Sequence, residues 1–105
     1  MKNLSIIGAL LFASVVFSQN TRDLKLNEKE QLIEAVYYYD NGQVSQKGTY
    51  DATNGELHGE WIHFDKDGNK KTIAFYENGQ KEGKWVFFVE GDRKEVIFNK
   101  NVASL

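Results

Sequence analysis

Few side chains in this 105-residue chain could do chemistry, and their spacing fits neither a metal site nor a catalytic centre. The chain has two histidines, His58 and His63, which we expect in a loop and on a strand respectively. A metal site needs further ligands in a defined geometry. The run Asp65-Lys66-Asp67-Gly68 opens like a calcium loop, but the rest of that frame, including its closing glutamate, is missing. It predicts a hairpin turn instead.

Nucleophilic and acid–base catalysis are also poorly supported. Most carboxylates alternate with lysines, as in Glu28-Lys29-Glu30, which is typical of a solvated surface. Outside residues 1–18 the serines are Ser45 and Ser104, and neither lies in a Gly-x-Ser-x-Gly setting. Cysteine is absent, which excludes disulfides and thiolate chemistry. We predict that the protein is not an enzyme and has no metal or cofactor.

Composition narrows the class of partner and of fold. The formal net charge is −2 and the isoelectric point is about 5.7. Nucleic-acid binders usually carry a basic surface, so we expect no nucleic-acid partner. Proline is absent and there are nine glycines, which suits a chain of tight hairpins whose turns need positive φ.

The N-terminus has the features of a secretory signal. Lys2 provides a positive start, and Leu4–Phe17 is apolar apart from two serines and a glycine. This segment is shorter than the ~20 residues that span a membrane and matches the apolar region of a signal peptide. We predict a signal peptide at residues 1–18, cleaved after Ser18 to within one residue, with an uncleaved anchor as the alternative. The expected location is periplasmic or extracellular.

Three aromatic and β-branched runs, at residues 37–39, 61–64 and 85–89, each end at a glycine-containing turn. Asn-Gly and Asp-Gly between such runs are strong hairpin signals. They predict an all-β antiparallel meander with strands at 23–26, 32–39, 44–50, 60–65, 70–76, 84–89 and 93–99. Residues 27–37 favour a hairpin, although Asn27 and Glu30 resemble a capping box and leave a short helix as the alternative.

One segment of the chain occurs twice. The frame Asn-Gly-x-x-x-Gly-[Glu/Lys]-Trp spans Asn54–Trp61 and recurs at Asn78–Trp85, 24 residues later. A fixed period of this length indicates a repeat architecture. The positions that differ change charge, as Glu60 does to Lys84. The glycines that we expect in structural turns are Gly42, Gly55, Gly59, Gly68, Gly79, Gly83 and Gly91.

This unit, with Gly48-x-Tyr50 before the first copy and Phe75-Tyr76 before the second, resembles the MORN-type repeat. The likeness is to the variant form in bacterial proteins labelled YwqK-family antitoxins, and it covers residues 36–98. Glu82 replaces the family's expected histidine, and phenylalanine replaces tyrosine at 64 and 88. The resemblance implies a single-layer MORN-like sheet of successive β-hairpins without enzymatic activity. We expect a lead-in hairpin at residues 19–35 and the repeat domain at 36–105.

Strand alternation places Trp61 and Trp85 on one face with His63 and Phe87. The simpler interpretation is that these rings form the core, but one layer cannot cover both of its own faces. An aromatic face left open would be a contact surface. The candidate binding residues are Tyr38, His58, Trp61, His63, Glu82, Trp85 and Phe87.

The expected function is that of a secreted, non-enzymatic module that binds a protein or a cell-envelope component. The alternative is a scaffold associated with membrane lipid. Cleavage of the predicted signal peptide removes Lys2, so the net charge falls from −2 to −3. A negative net charge argues against strong binding to anionic lipid. A homodimer through stacked faces or paired edge strands, and a role as a toxin-neutralising partner, stay open.

Overall fold

The fold is one open antiparallel sheet, described by a computed structural model over residues 21–104. Its strands are β1 Arg22–Asn27, β2 Leu32–Tyr38, β3 Val44–Asp51, β4 Leu57–Phe64, β5 Lys70–Glu77, β6 Gln80–Lys81, β7 Gly83–Val89, β8 Asp92–Asn99 and β9 Val102–Ser104. The predicted all-β meander is confirmed. The predicted signal peptide lies outside the described residues.

The strand order follows the chain. Across the sheet the order is β9-β8-β7-β5-β4-β3-β2-β1, and the short β6 pairs with β5 beside β7. The predicted lead-in and the predicted repeat domain share this sheet, because β2 runs across residues 35 and 36. Within residues 21–104 no helix is long and apolar enough to cross a membrane.

Three hairpins close through two-residue turns in which both central residues have positive φ. The φ values are 53° and 79° for Asn78-Gly79, 51° and 85° for Glu90-Gly91, and 49° and 74° for Lys100-Asn101. This is the backbone of a type I′ turn, whose twist matches that of the flanking strands. The third turn creates β9, a strand that the sequence did not predict because its turn lacks an Asn-Gly or Asp-Gly signal.

The β2–β3 and β4–β5 hairpins instead turn through longer loops, at residues 39–43 and 65–69. In the second loop the Asp65 carboxylate accepts hydrogen bonds from the backbone N–H groups of Asp67 and Asn69, both at 2.9 Å. These bonds, led by the one from Asn69, lower the pKa of Asp65. The structure therefore confirms the hairpin turn predicted at Asp65-Lys66-Asp67-Gly68.

The segment with two interpretations is a hairpin. Asn27 pairs with Leu32, and the Asn27 side-chain oxygen accepts the Glu30 backbone N–H at 3.1 Å. The contact expected of a capping box is thus made inside a turn. Gln31 completes the turn with a φ of 57°.

Candidate functional site: the two faces of the sheet

The two tryptophans occupy equivalent places on one face, which we call the tryptophan face. The Trp61 indole N–H donates to the Thr49 carbonyl oxygen at 2.8 Å, and the Trp85 N–H donates to the Phe75 carbonyl oxygen at 2.9 Å. Each acceptor lies on the preceding strand of the meander, 26 residues apart in the two copies. The repeated sequence therefore makes the same inter-strand bond twice.

The Trp61 indole lies over a small residue, and the second unit has a small residue at the equivalent position. A Cβ atom added to Gly48 would lie 2.1 Å from Trp61 Cδ2, so the ring rests directly on the glycine backbone. Ala74 stands 26 residues later, at the equivalent position of the second unit, and is 1% exposed. The small residues let the rings lie flat against a sheet that has no second layer.

Tyrosines close the sides of these rings. Tyr50 meets Trp61 edge-on with ring centroids 5.1 Å apart, and Tyr76 meets Trp85 in the same way at 5.3 Å. Such edge-to-face pairs add to the stabilisation from area burial. Trp61 is consequently 2% exposed and Trp85 6% exposed. Both tryptophans belong to the core and offer little surface to a partner.

The polar part of the tryptophan face comes from two tyrosines that were not among the predicted site residues. The hydroxyl oxygens of Tyr37 and Tyr50 lie 2.6 Å apart. Burial, and then the hydrogen bond with Tyr37, raises the pKa of Tyr50 to about 12. The Tyr50 hydroxyl is therefore neutral at physiological pH. Tyr50 was visible in the repeat frame, but no sequence signal indicates that Tyr37 would reach it.

The seven predicted binding residues do not form one cluster. Trp85 lies 6.0 Å from Phe87 between ring centroids on the tryptophan face, whereas the Tyr38 hydroxyl donates to Asp23 at 2.8 Å at the β1 edge. The Glu82 carboxylate accepts the Lys100 backbone N–H at 3.1 Å. Their binding role stays a prediction.

The two histidines are far from any metal-binding arrangement. His63 pairs across strands with Gln46 and Thr72, on the tryptophan face, and partial burial lowers its pKa. His58 pairs with Thr49 on the other face, with Nδ1 enclosed and without a hydrogen-bond partner. Among residues 21–104 no group of three or more histidine, cysteine or acidic side chains could hold a metal ion.

The opposite face, which we call the aliphatic face, has a row of three apolar residues with a charged residue at each end. Cross-strand pairing aligns Lys47, Ile62, Ile73, Val86 and Glu95 across β3, β4, β5, β7 and β8. Period two along the strands adds three rings to this face, Phe64, Phe75 and Phe88. Phe75 is 42% exposed and Ile97 is 48% exposed, whereas Val86 within the row is only 5% exposed. No element of the described chain covers this face.

Charges border the apolar row at equivalent places of the two copies. Glu60 on β4 and Lys84 on β7 each stand two residues before the apolar residue of the row. Lys84 lies 3.8 Å from Glu95, which also pairs with Arg93. On the other side, the Lys47 ammonium stands 6.0 Å from the Phe64 ring centroid. The face thus has an apolar centre and charges of both signs around it.

Backbone bonds also join the loops of successive units at one end of the sheet. N–H groups of later loops donate to carbonyl oxygens of earlier ones: Ala52 to Gln31 at 2.9 Å, Gly79 to Leu57 at 3.0 Å, and Asn101 to Lys81 at 2.9 Å. The third bond extends the same pattern to the turn between β8 and β9. All seven predicted turn glycines have positive φ.

Comparison with known proteins finds a repeat family that matches part of this chain. A family model described as a MORN repeat variant matches residues 31–52 and 57–78, which contain the β2–β3 and β4–β5 hairpins. No curated protein and no solved structure shows a significant match to the chain. Residues 31–52 and 57–78 of this chain are therefore two MORN-type repeats.

Proposed function

We propose that the protein is an exported, non-enzymatic module that binds a protein or a cell-envelope component through its aliphatic face. The observation that carries the proposal is the exposed apolar surface of this face, where Phe75 is 42% and Ile97 48% exposed beside the partly buried Ile62 and Ile73. Contiguous apolar surface of this kind marks interaction sites in soluble proteins. Tyr38, on the same side as the row, and the loop residues add polar contacts at its border.

Export is supported by the charged start and the apolar segment Leu4–Phe17. The test is cell fractionation of the protein with a C-terminal tag. We expect the tagged chain outside the cytoplasm and shorter by about 18 residues. A tagged chain of full length in the cytoplasmic fraction would contradict export.

Partner binding is tested by capture from envelope extract with Phe75→Glu as the informative variant. Phe75 is exposed through its side chain, and its structural bond to Trp85 uses only the backbone carbonyl. We expect this variant to stay folded and to lose partners that the wild type retains. Lys94→Glu is the matched control, because Lys94 is exposed and pairs with Phe87 on the tryptophan face. Equal capture by all three proteins would contradict the proposal.

Attachment to lipid is the second candidate, because MORN-type repeats also bind membranes and Lys70 and Lys71 lie beside Phe88 at one end of the aliphatic face. Flotation with anionic vesicles at low salt separates the two candidates. Protein that floats, and does so less after Phe75→Glu, would favour lipid. Protein that remains at the bottom leaves the protein or envelope partner, of which a neutralised toxin is one form.

A further inference from the structure

We propose that the aliphatic face binds the aliphatic face of a second copy of this chain, so that the protein is a face-to-face dimer. The inference rests on the proposed function, since it names the partner of the same surface. It comes from the order of charges across the sheet, which is self-complementary about β5.

The apolar row is centred on Ile73. One strand away on either side are Ile62 on β4 and Val86 on β7, and two strands away are Lys47 on β3 and Glu95 on β8. A two-fold axis parallel to β5, lying between two stacked sheets, exchanges β4 with β7 and β3 with β8. It therefore sets Lys47 of each copy opposite Glu95 of the other, with the apolar residues between them.

A neighbouring row obeys the same symmetry. Glu60 on β4 and Lys84 on β7 stand on either side of Phe75 on β5, which pairs directly with Glu60. The axis that matches Lys47 with Glu95 also sets Glu60 opposite Lys84 of the second copy and stacks the two Phe75 rings. This symmetry explains why the equivalent positions of the two repeats carry opposite charges, Glu60 and Lys84. Identical repeats would place like charges opposite each other, which opposes association.

Two charges lie on the axis itself, Lys71 near the start of β5 and the exposed Glu77 at its end, and water screens the approach of each to its own counterpart. Lys71 is two residues before Ile73 and would approach its own counterpart. Lys71 is exposed, and it lines a cleft at the turn end of the sheet together with Asp65 and Glu90. These carboxylates offset the ammonium charge, and the end position keeps it in water.

The area of the aliphatic face is of the same order as that buried by each partner of a stable dimer. Five strands about 4.8 Å apart and about 25 Å long span roughly 600 Å² per copy, approaching the ~800 Å² per partner of stable interfaces. Stacked sheets pack about 10 Å apart with strands within about 30°. The Lys47–Glu95 and Glu60–Lys84 pairs lie within two strands of the axis, where the angle between the strands of the two sheets displaces them least.

A charge-swap cycle measured by sedimentation equilibrium tests the dimer. Glu60→Lys and Lys84→Glu, taken singly, each place like charges together twice in the dimer, and we expect the dissociation constant to rise by about tenfold or more. Combining both restores opposite charges across the interface, so the double variant should associate within about threefold of wild type. Lys94→Glu, on the tryptophan face, should leave the constant unchanged.

The outcomes are decisive in both directions. A wild type that stays monomeric, single variants that associate like wild type, or a double variant no better than the singles would each overturn the dimer. Near-ultraviolet circular dichroism checks that every variant keeps its tryptophan packing. If the wild type is monomeric but Phe75→Glu still abolishes capture of an envelope partner, the proposed function stands and only the dimer falls.

Discussion

At the scale of residues, the unit depends on a tryptophan lying over a small residue. Trp61 rests on Gly48 and donates its N–H to the adjacent Thr49 carbonyl oxygen. Trp85 repeats the bond, with Ala74 in place of the glycine. The burial of these rings provides a core without a second layer, and it takes the tryptophans out of reach of a partner.

Substituting the small residue should reduce the unfolding free energy more at Gly48 than at Ala74. Gly48→Ala forces the Trp61 ring away from its strand, and we expect a loss of about 3 kcal/mol in unfolding free energy. Ala74→Gly removes one buried methyl group and loosens the backbone, at about 1 kcal/mol. Urea unfolding followed by tryptophan fluorescence measures both. Equal losses would contradict the direct contact at Gly48.

His63 should make stability depend on pH. Burial lowers the pKa of His63 in the folded state, so the folded chain binds fewer protons here than the unfolded chain, whose histidine pKa is about 6.5. The stabilisation is present above that value and is lost as the pH falls through it towards the folded pKa. We expect a lower urea midpoint at acidic pH, with a smaller difference in His63→Gln. If His58→Gln flattens the dependence instead, the assignment to His63 is wrong.

At the scale of elements, turns with positive φ fix the register of the meander. Asn78-Gly79 is well suited to a type I′ turn, whereas Lys100 adopts the same conformation with a φ of 49°. A lysine is strained there relative to asparagine, which tolerates left-handed conformations.

Lys100→Asn should therefore stabilise the protein by about 0.5–1 kcal/mol. The backbone N–H of residue 100, which donates to Glu82, is kept. The mirror variant Asn78→Lys should destabilise by a similar amount, since both positions come first in their turns. Thermal unfolding of the two variants provides the comparison. A shift of the same sign in both would refute the argument from turn conformation.

At the scale of the whole molecule, each strand of the open sheet depends on its neighbours. The central strands pair on both sides, whereas β1 and the short β9 each have one partner. In a repeat array, stability is a sum of units and nearest-neighbour interfaces.

Hydrogen exchange under native conditions should follow that order. Amides in β4 and β5 should exchange slowest, and those in β1 and β9 fastest, because the ends of the array open without disturbing its centre. Mass spectrometry of proteolytic fragments resolves these regions. Equal protection of β1 and β4 would show that the sheet opens only as a whole.

Much of the fold was predictable because turn residues act locally. Asn-Gly pairs and alternating aromatic runs indicated the hairpins, and the 24-residue repeat indicated their succession. The strand predicted at 60–65 instead begins at Leu57, because Gly59, with a φ of 77°, is accommodated as an irregularity within the strand rather than before it. The two-residue β6 was not predicted, since only its pairing with β5 defines it.

The sequence by itself determined the all-β meander, its repeat and the two sets of side chains that alternate along each strand. It did not determine which set is covered. That depends on cross-strand register, which brings Gly48 beneath Trp61 and Tyr50 against its edge. Only the tertiary structure shows that the aromatic face fills itself while Phe75 and Ile97 stay exposed on the other face. Alternation is a property of one strand, but coverage is a property of neighbouring strands packed together.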